Sequence, residues 1–195
     1  MNFDEYDKIK GIIKLKEWGL PTPSTLFVNN HESQKEEVNN FLMNRELVMV
    51  RSERLGQSTN CPRKLKCSPY EAREFISKLN NDGYVAIVQD YVPLNNKYSG
   101  NILVFTTSII IEAMHGGPVS KLNREGIMHE HIRLGADGRV LIKHGQEVIP
   151  YKELLSVLDK LKGLPIKNHI IEFSAGPDWL YFWHVREDKT SNMLE

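Results

Sequence analysis

The stretch from Asn168 to Asp188 reads NHIIEFSAGPDWLYFWHVRED and organises the rest of the chain. Two apolar runs flank a Gly-Pro-Asp turn, a pattern that predicts a β-hairpin. Each run carries polar residues where a buried strand would have apolar ones: Glu172 on the first, and His184 and Arg186 on the second. Because side chains alternate between the two faces of a strand, His184 and Arg186 share a face.

The length of the turn decides whether Glu172 joins them. A loop of three or five residues puts all three side chains on one face, whereas a two-residue loop at Gly176-Pro177 puts Glu172 on the other. Pro177 cannot adopt the positive φ that a type I′ turn needs, so we expect the longer loop. The acid, imidazole and guanidinium would then suit a metal-phosphate ligand. A cross-strand salt bridge on a half-exposed hairpin explains the same residues equally well.

Composition bounds the class of protein. A chain of 195 residues forms one domain or two small lobes. Its 25 basic and 25 acidic residues create no overall field that attracts nucleic acid or membrane. No apolar run approaches the roughly 18 residues of a membrane span. The start, MNFDEYDK, lacks the apolar segment of a signal peptide, so we expect a cytoplasmic protein with Cys61 and Cys67 as free thiols.

The periodicity of the chain predicts three or four helices among about eight strands, many of them joined as hairpins. The start of one helix is well marked, because Ser68 can cap it, Pro69 suits its first position and Glu71 completes a capping box. A second, amphipathic helix is expected at 151–162. This pattern favours an α+β fold with mostly antiparallel sheet over a doubly wound parallel one.

Four segments resemble, in order, the N-terminal nucleotide-binding domain of phosphoenolpyruvate synthase and pyruvate phosphate dikinase, an ATP-grasp fold. Lys8 precedes the glycine of a Gly-Leu-Pro-Thr-Pro turn by eleven residues, as in that family. A Val-Arg-Ser strand end follows at Arg51, and the strand ending in Gln89 is similar to the one before the adenine pocket. In the opening hairpin, residues 184 and 186 stand twelve and fourteen residues after Glu172, the family's spacing for glutamine and arginine.

The resemblance implies an ATP-grasp-like protein of two small lobes, 1–82 and 83–195, with the nucleotide between them. It implies ATP and Mg²⁺ as cofactors, and Mn²⁺ as an alternative because imidazole is a poor magnesium ligand. The residues it assigns to nucleotide binding are Lys8, Arg51, Gln89, His184 and Arg186. Those it assigns to the metal are Glu172 and His184, and we expect catalytic roles for Arg51, Arg186 and Glu112.

Departures from the family weaken the catalytic interpretation. His184 replaces the family's glutamine, and Ile170 stands where a further acid is common. The glycine-rich phosphate cover is missing after Ser52, where a basic loop from Arg54 to Lys66 either replaces it or is simply solvated. Glu112 fits a second catalytic acid and an edge-strand carboxylate in water about equally. Lys8 also fits an ordinary solvated helix lysine.

Two other motifs are better explained by structure than by chemistry. His129 and His131 flank Glu130, but no third metal ligand is evident, so exposed strand residues are favoured over a metal site. Three aromatic residues alternate on the face opposite Arg186 and are expected to form core: Trp179, Tyr181 and Trp183.

Three functions follow from these observations. The first is an ATP-dependent phosphotransferase of dikinase type, acting with Mg-ATP on an unknown phosphate acceptor, with ligase-type chemistry less favoured. The second is a catalytically degenerate nucleotide-binding or partner-binding protein of the same fold. The third, an RNA-associated protein that uses the basic loop, is disfavoured by the zero net charge.

Overall fold

The computed structural model describes residues 3–57, 59–93 and 95–188. The chain divides into two compact units, a first formed by Met1–Ile13 and Thr22–Val92 and a second formed by Lys14–Pro21 and Pro93–Glu195. This division differs from the predicted lobe boundary after residue 82. The strand β4 (Val85–Asp90) lies beyond that boundary in the sequence, but it pairs with strands of the first unit.

The first unit contains a four-stranded antiparallel sheet in the order β1-β4-β2-β3. Its other strands are β1 (Thr25–Val28), β2 (Val48–Glu53) and β3 (Lys64–Cys67). The central strand β4 is buried on both faces from Val85 to Gln89. Its even-numbered apolar residues join one apolar cluster and its odd-numbered ones join another, so helices cover both faces of this sheet.

Three helices supply that cover: α1 (Asp7–Glu17), α2 (Lys35–Leu42) and α3 (Pro69–Asn81). Helix α1 packs Ile9 and Ile12 against β4. Helices α2 and α3 pack their apolar stripes against the other face, with Val38 and Ile76 fully buried. Helix α3 begins with the predicted capping box, in which Ser68 and Glu71 satisfy each other's backbone N–H groups.

The second unit contains a six-stranded antiparallel sheet in the order β10-β9-β5-β6-β7-β8. Its strands are β5 (Tyr98–Val104), β6 (Ser108–His115), β7 (Glu130–Gly135), β8 (Val140–Gly145), β9 (His169–Ala175) and β10 (Leu180–Glu187). The described helices of this unit are α4 (Ser120–Glu125), α5 (Tyr151–Leu161) and the end of α1.

One face of this sheet is the core of the second unit. Ile102, Ile111, Ile171 and Phe173 are fully buried there and pack with the apolar side of α5. Gly100 makes close packing at this point feasible, because a Cβ atom on it would lie 2.3 Å from the backbone oxygen of Glu112 and 2.8 Å from the Phe173 ring. The opposite face carries polar residues, and it is the face on which a site can form.

The α+β class and the antiparallel sheets were predicted and are confirmed. The chain up to Lys66 was predicted to be a basic loop, but Lys64–Cys67 forms the edge strand β3. Both cysteines are free thiols, as predicted. Among the described residues, no helix is long and apolar enough to cross a membrane.

Candidate functional site

The terminal hairpin brings Glu172, His184 and Arg186 to one face, as predicted, but by a different route. The turn is tight: the Gly176 N–H donates to the Trp179 carbonyl at 2.8 Å, which leaves two residues at its tip. The predicted three- or five-residue loop was therefore wrong. A register shift between Phe182 and His184 then adds one residue to β10, and this β-bulge places His184 directly opposite Glu172.

The Glu172–His184 pair belongs to a polar row that crosses the whole six-stranded sheet. Residues directly opposite each other on neighbouring antiparallel strands point to the same face. Following the register from β10 to β8 therefore gives one residue of the row on each strand: His184, Glu172, Asn101, Glu112, His131 and His144. We call these six residues the polar row.

Glu172 is held by an amide network. Asn123, on α4, donates from Nδ2 to Oε1 of Glu172 at 2.8 Å. Asn101 donates from its own Nδ2 to Oδ1 of Asn123 at 2.7 Å. These two bonds tie α4 to β5 and β9 above the polar row and fix the orientation of the Glu172 carboxylate. Such side-chain donors commonly orient carboxylates that ligate metals.

The remaining predicted residues of the second unit take different positions. Glu112 lies next to Asn101 in the polar row and is partly exposed. Its strand β6 lies between β5 and β7, so the interpretation of Glu112 as an edge-strand carboxylate was wrong. Arg186 is exposed near the end of the edge strand β10, two residues beyond His184 and paired with Ile170. His184 is buried, with 9% of its surface exposed.

In the first unit, the predicted residue Lys8 contacts the end of β2, the strand that carries Arg51. Nζ of Lys8 donates to the backbone carbonyl of Ser52, the residue after Arg51, at 3.2 Å. The first turn of α1 is anchored there by Glu53, whose carboxylate accepts hydrogen bonds from the backbone N–H groups of Lys8 at 2.9 Å and Ile9 at 3.0 Å. Lys8 therefore has a defined position against β2, and its role in nucleotide binding stays a prediction.

Two charged residues beside this point have distinct environments. Burial raises the pKa of the Glu53 carboxyl, and the two backbone donors and the Lys8 ammonium oppose that shift. Arg51 lies two residues before Glu53 and donates from Nη1 to Oε1 of Gln89 at 3.4 Å. Gln89 is buried and donates to Oγ1 of Thr25 at 3.1 Å, so its amide is fixed across three strands.

Basic residues of the segment after Ser52 make cation–π contacts with aromatic rings. Three of its cations lie over rings of the first unit at centroid distances of 5.4–5.7 Å: Arg54 on Tyr84, Lys64 on Phe75 and Lys66 on Tyr91. Cation–π contacts of this kind stabilise exposed side chains modestly. They account for these three residues without any nucleic acid or phosphate ligand.

The three residues of the His129-Glu130-His131 motif have different environments, and the prediction of exposed strand residues was wrong for Glu130, which is buried. Glu130 points to the core face, where its buried carboxylate accepts hydrogen bonds from the N–H groups of Val148 and Ile149, both at 2.9 Å. His131 belongs to the polar row on the other face. Within the ranges that the structure describes, no group of three or more His, Cys, Asp or Glu residues is arranged to hold a metal ion.

The aromatic residues of β10 were predicted to form core opposite Arg186, and this was wrong. Tyr181 is directly opposite Ser174, which shares the face of Glu172, and Trp183 donates from Nε1 to Oγ of Ser174 at 2.9 Å. Trp179, Tyr181 and Trp183 are all partly exposed. The β-bulge reverses the alternation, so Phe182 and Val185 are the core residues of this strand instead.

Two residues of the site escaped sequence analysis. Asn101 had a recognisable signal, because its amide side chain directly precedes the apolar run Ile102–Phe105. Asn123 had none, since α4 is a six-residue helix without amphipathic periodicity. Both become visible only when β5 is seen between β6 and β9.

Neither a family model nor a curated protein matches the chain. Solved structures do. The ADP complex of PurK, an N5-carboxyaminoimidazole ribonucleotide synthetase, matches with a TM-score of 0.55 and 15% identity over 93% of this chain and 45% of that one. A RimK domain ATP-grasp protein from Sphaerobacter thermophilus matches with a TM-score of 0.53 and 11% identity over 93% of this chain and 58% of that one.

The macrocyclase MdnC from Microcystis aeruginosa MRC, solved with its precursor peptide MdnA, gives a TM-score of 0.52 and 15% identity over 96% of this chain and 54% of that one. The chain thus spans about half the length of the structures it matches. These three proteins are not dikinases, so they do not support the dikinase family itself. Likeness at such low identity concerns the fold alone, and here it agrees with the α+β architecture and antiparallel sheets: the chain has an ATP-grasp fold.

Proposed function

We propose that this chain binds ATP with a divalent cation and transfers the γ-phosphoryl group to an acceptor. The observation that carries the proposal is the position of Glu172 in the polar row. An orienting amide from Asn123 holds its carboxylate at 2.8 Å, His184 is directly opposite on β10, and Arg186 follows on the same face. The ATP-grasp fold supports the choice of nucleotide.

The donor set of the polar row fits a divalent cation. Glu172 and Glu112 supply carboxylates, a ligand type that Mg²⁺ and Mn²⁺ both accept. The imidazole of His184 favours Mn²⁺. When bound, the cation neutralises phosphate charge. The chain's own contribution is to place Glu172, and Asn123 keeps its carboxylate turned toward the row.

Each unit has cationic or amide side chains of its own that we propose as nucleotide ligands. Arg186 of the second unit and Arg51 of the first carry planar guanidinium groups, which bind phosphate oxygens in a bidentate way that lysine cannot. Lys8 adds a point charge near the end of β2. Gln89 offers a fixed amide for recognition of the base. Phosphoryl transfer depends mainly on such positioning and charge neutralisation.

The acceptor distinguishes two versions of this chemistry. In a phosphotransferase reaction, an oxygen or nitrogen atom of a protein or small-molecule acceptor attacks the γ-phosphorus, the bond to ADP breaks, and ADP leaves the phosphorylated acceptor. In a ligase-type reaction, a carboxylate oxygen attacks the γ-phosphorus, the bond to ADP breaks and an acyl phosphate forms; an amine then displaces phosphate. Both begin with attack of an acceptor atom on the γ-phosphorus and departure of ADP. The synthetase and macrocyclase neighbours favour the ligase version, and the hairpin spacing favours the phosphotransferase version.

A second candidate function is nucleotide or partner binding without catalysis. It is favoured by His184, a nitrogen donor directly opposite Glu172, and by Ile170, an apolar residue opposite Arg186. A protein that holds ATP but lacks a second acid on this hairpin would bind without turnover.

The proposal is tested by thermal unfolding of the full chain with ATP, ADP or GTP in the presence of Mg²⁺ or Mn²⁺. We expect ATP with either cation to raise the unfolding temperature, since a ligand that binds only the folded state stabilises it. No stabilisation by any nucleotide would contradict the proposal. Where ATP binds, release of ADP or AMP with candidate carboxylate, amine and protein acceptors separates catalysis from binding alone.

A further inference from the structure

Asn101 occupies an unusual position in the polar row. It lies on the interior strand β5, directly opposite Glu172 on one side and Glu112 on the other. Only 4% of its surface is exposed. Its Oδ1 atom is buried and accepts no hydrogen bond from any residue within the described ranges. Buried polar atoms are almost always paired, so an unpaired one at this position requires an explanation.

The orientation of this amide follows from its neighbours. An ionised carboxylate only accepts hydrogen bonds, so the atom of Asn123 that contacts Glu172 must be Nδ2. The Oδ1 atom of Asn123 then faces Asn101, which must donate from its own Nδ2. Turning the Asn101 amide over would place two oxygens against each other. The unpaired atom is therefore an oxygen, and the orientation of the acid fixes it as one.

An oxygen without a donor, flanked by two carboxylates, suits a cation. Cross-strand neighbours have Cβ atoms about 5 Å apart, a distance that glutamate side chains can bridge toward a common ligand. Hard divalent cations bind sets of carboxylate and amide oxygens of this kind. A neutral hydrogen-bond donor would satisfy the amide oxygen, but it would not match the carboxylates on the two neighbouring strands as a cation does.

We propose that Asn101, Glu172 and Glu112 form an all-oxygen site for a hard divalent cation that binds without nucleotide. The proposal rests on the proposed function in taking Glu172 as a metal ligand, and it goes further in making Asn101 a ligand through Oδ1. Asn123 is a positioning residue in this site, because it orients both Glu172 and Asn101 and is not itself a ligand of the cation.

The test is binding of Mn²⁺ to the full chain without nucleotide, measured by the loss of the electron paramagnetic resonance signal of free Mn²⁺. We expect the wild type to bind Mn²⁺. Asn101→Leu, which keeps the shape of the side chain and removes the oxygen, should raise the Kd about tenfold or more. Asn101→Asp adds a negative charge at the same place and should lower the Kd.

Two controls make the result specific. Asn39→Asp adds the same charge on exposed helix α2 and should leave the Kd unchanged. Glu112→Gln should weaken binding as Asn101→Leu does. A Kd within about twofold of wild type in Asn101→Leu would overturn the proposal. If that variant does not fold, an unchanged Kd in Asn101→Asp overturns it instead.

The outcome also separates this proposal from the proposed function. If the wild type binds no Mn²⁺ alone but is stabilised by ATP with Mn²⁺, the nucleotide-independent site is wrong and ATP binding stands. If it binds Mn²⁺ alone through Asn101 but no nucleotide stabilises it, the cation site stands and ATP binding is wrong.

Discussion

The two sheets of this protein differ in how many of their faces are covered by apolar clusters and in what their acidic residues bind. In the four-stranded sheet, apolar clusters cover both faces, and the buried acid Glu53 is occupied by two backbone N–H groups of α1. In the six-stranded sheet, only one face is core. On the other face, Glu172 is held by one side-chain amide and stands in a row with a second acid.

The difference separates structural acids from candidate ligands. An acid whose oxygens accept hydrogen bonds from backbone N–H groups stabilises the local structure, because its loss leaves those donors unpaired. Glu130 behaves like Glu53, although it follows a histidine in a motif typical of metal sites. An acid that binds one side-chain amide keeps carboxylate oxygen available for a further ligand. Glu172 is of this second kind.

The largest expected change in stability contrasts the two faces of the six-stranded sheet. Phe173 is fully buried on the core face, so Phe173→Ala should lower the free energy of unfolding by about 3–5 kcal/mol. Urea denaturation measures the change. Tyr181→Ala, which truncates a partly exposed aromatic residue of the neighbouring strand, is the control and should cost clearly less. Equal losses in the two variants would mean that the faces are not distinct.

The next effect concerns the acid of the first unit. Glu53→Ala should destabilise the protein by about 2–3 kcal/mol, because two buried N–H groups at the start of α1 lose their acceptor. Glu53→Gln retains one acceptor oxygen and should lose less. Denaturation curves of the two variants measure this difference. A Glu53→Ala protein as stable as wild type would show that the acid does not anchor α1.

A smaller effect is expected at Asn123. Asn123→Ala should raise the Kd for Mn-ATP about tenfold, as loss of a residue that orients a metal ligand typically does, while stability changes little. Isothermal titration calorimetry measures the affinity. Asn29→Ala, at an exposed asparagine of the first unit, is the matched control. Unchanged affinity in Asn123→Ala would remove the orienting role.

The smallest effect is a pH dependence at His169. Its Nε2 lies 2.7 Å from Nζ of Lys14, and burial, the larger cause, together with that ammonium lowers the pKa of the imidazole below 6.5. The backbone oxygen of Lys167 and the charge of Glu187 oppose the shift. The unfolded chain therefore binds this proton more readily, and stability should fall as the pH decreases from about 6.5 toward the folded-state pKa.

Stability of the wild type and of His169→Gln, measured from about pH 7 to about pH 5, isolates this contribution. Glutamine keeps an acceptor for Lys14 and does not titrate. The wild type should lose stability more steeply than the variant over that interval. Parallel curves would show that His169 does not carry the effect.

Much of this fold could be predicted from the chain because the signals were local. The capping box at Ser68, the apolar spacing of α5 and the alternating strands each depend on neighbouring residues. The shared face of Glu172 and His184 was also predicted. Its cause was not, because a one-residue bulge beside Trp183 leaves no mark in an aromatic run that fits a regular strand equally well.

The site itself depended on non-local pairing. Nothing near Asn101 indicates that β5 lies between β6 and β9, yet that order alone places its amide between Glu112 and Glu172. Strand β3 and helix α4 span only four and six residues, too short for periodicity to reveal them. The lobe boundary differed for the same reason, since β4 pairs back onto strands that precede it.

The central claim is that the polar face of the six-stranded sheet binds nucleotide through the Glu172 carboxylate. The most direct test is the thermal shift produced by ATP with Mn²⁺ in Glu172→Gln, compared with Glu36→Gln at an exposed acid of α2. Glutamine preserves the size of the side chain and removes the charge that a cation needs. We expect the shift to be lost in Glu172→Gln and kept in Glu36→Gln. A full shift in Glu172→Gln would contradict the account and make the hairpin acid structural.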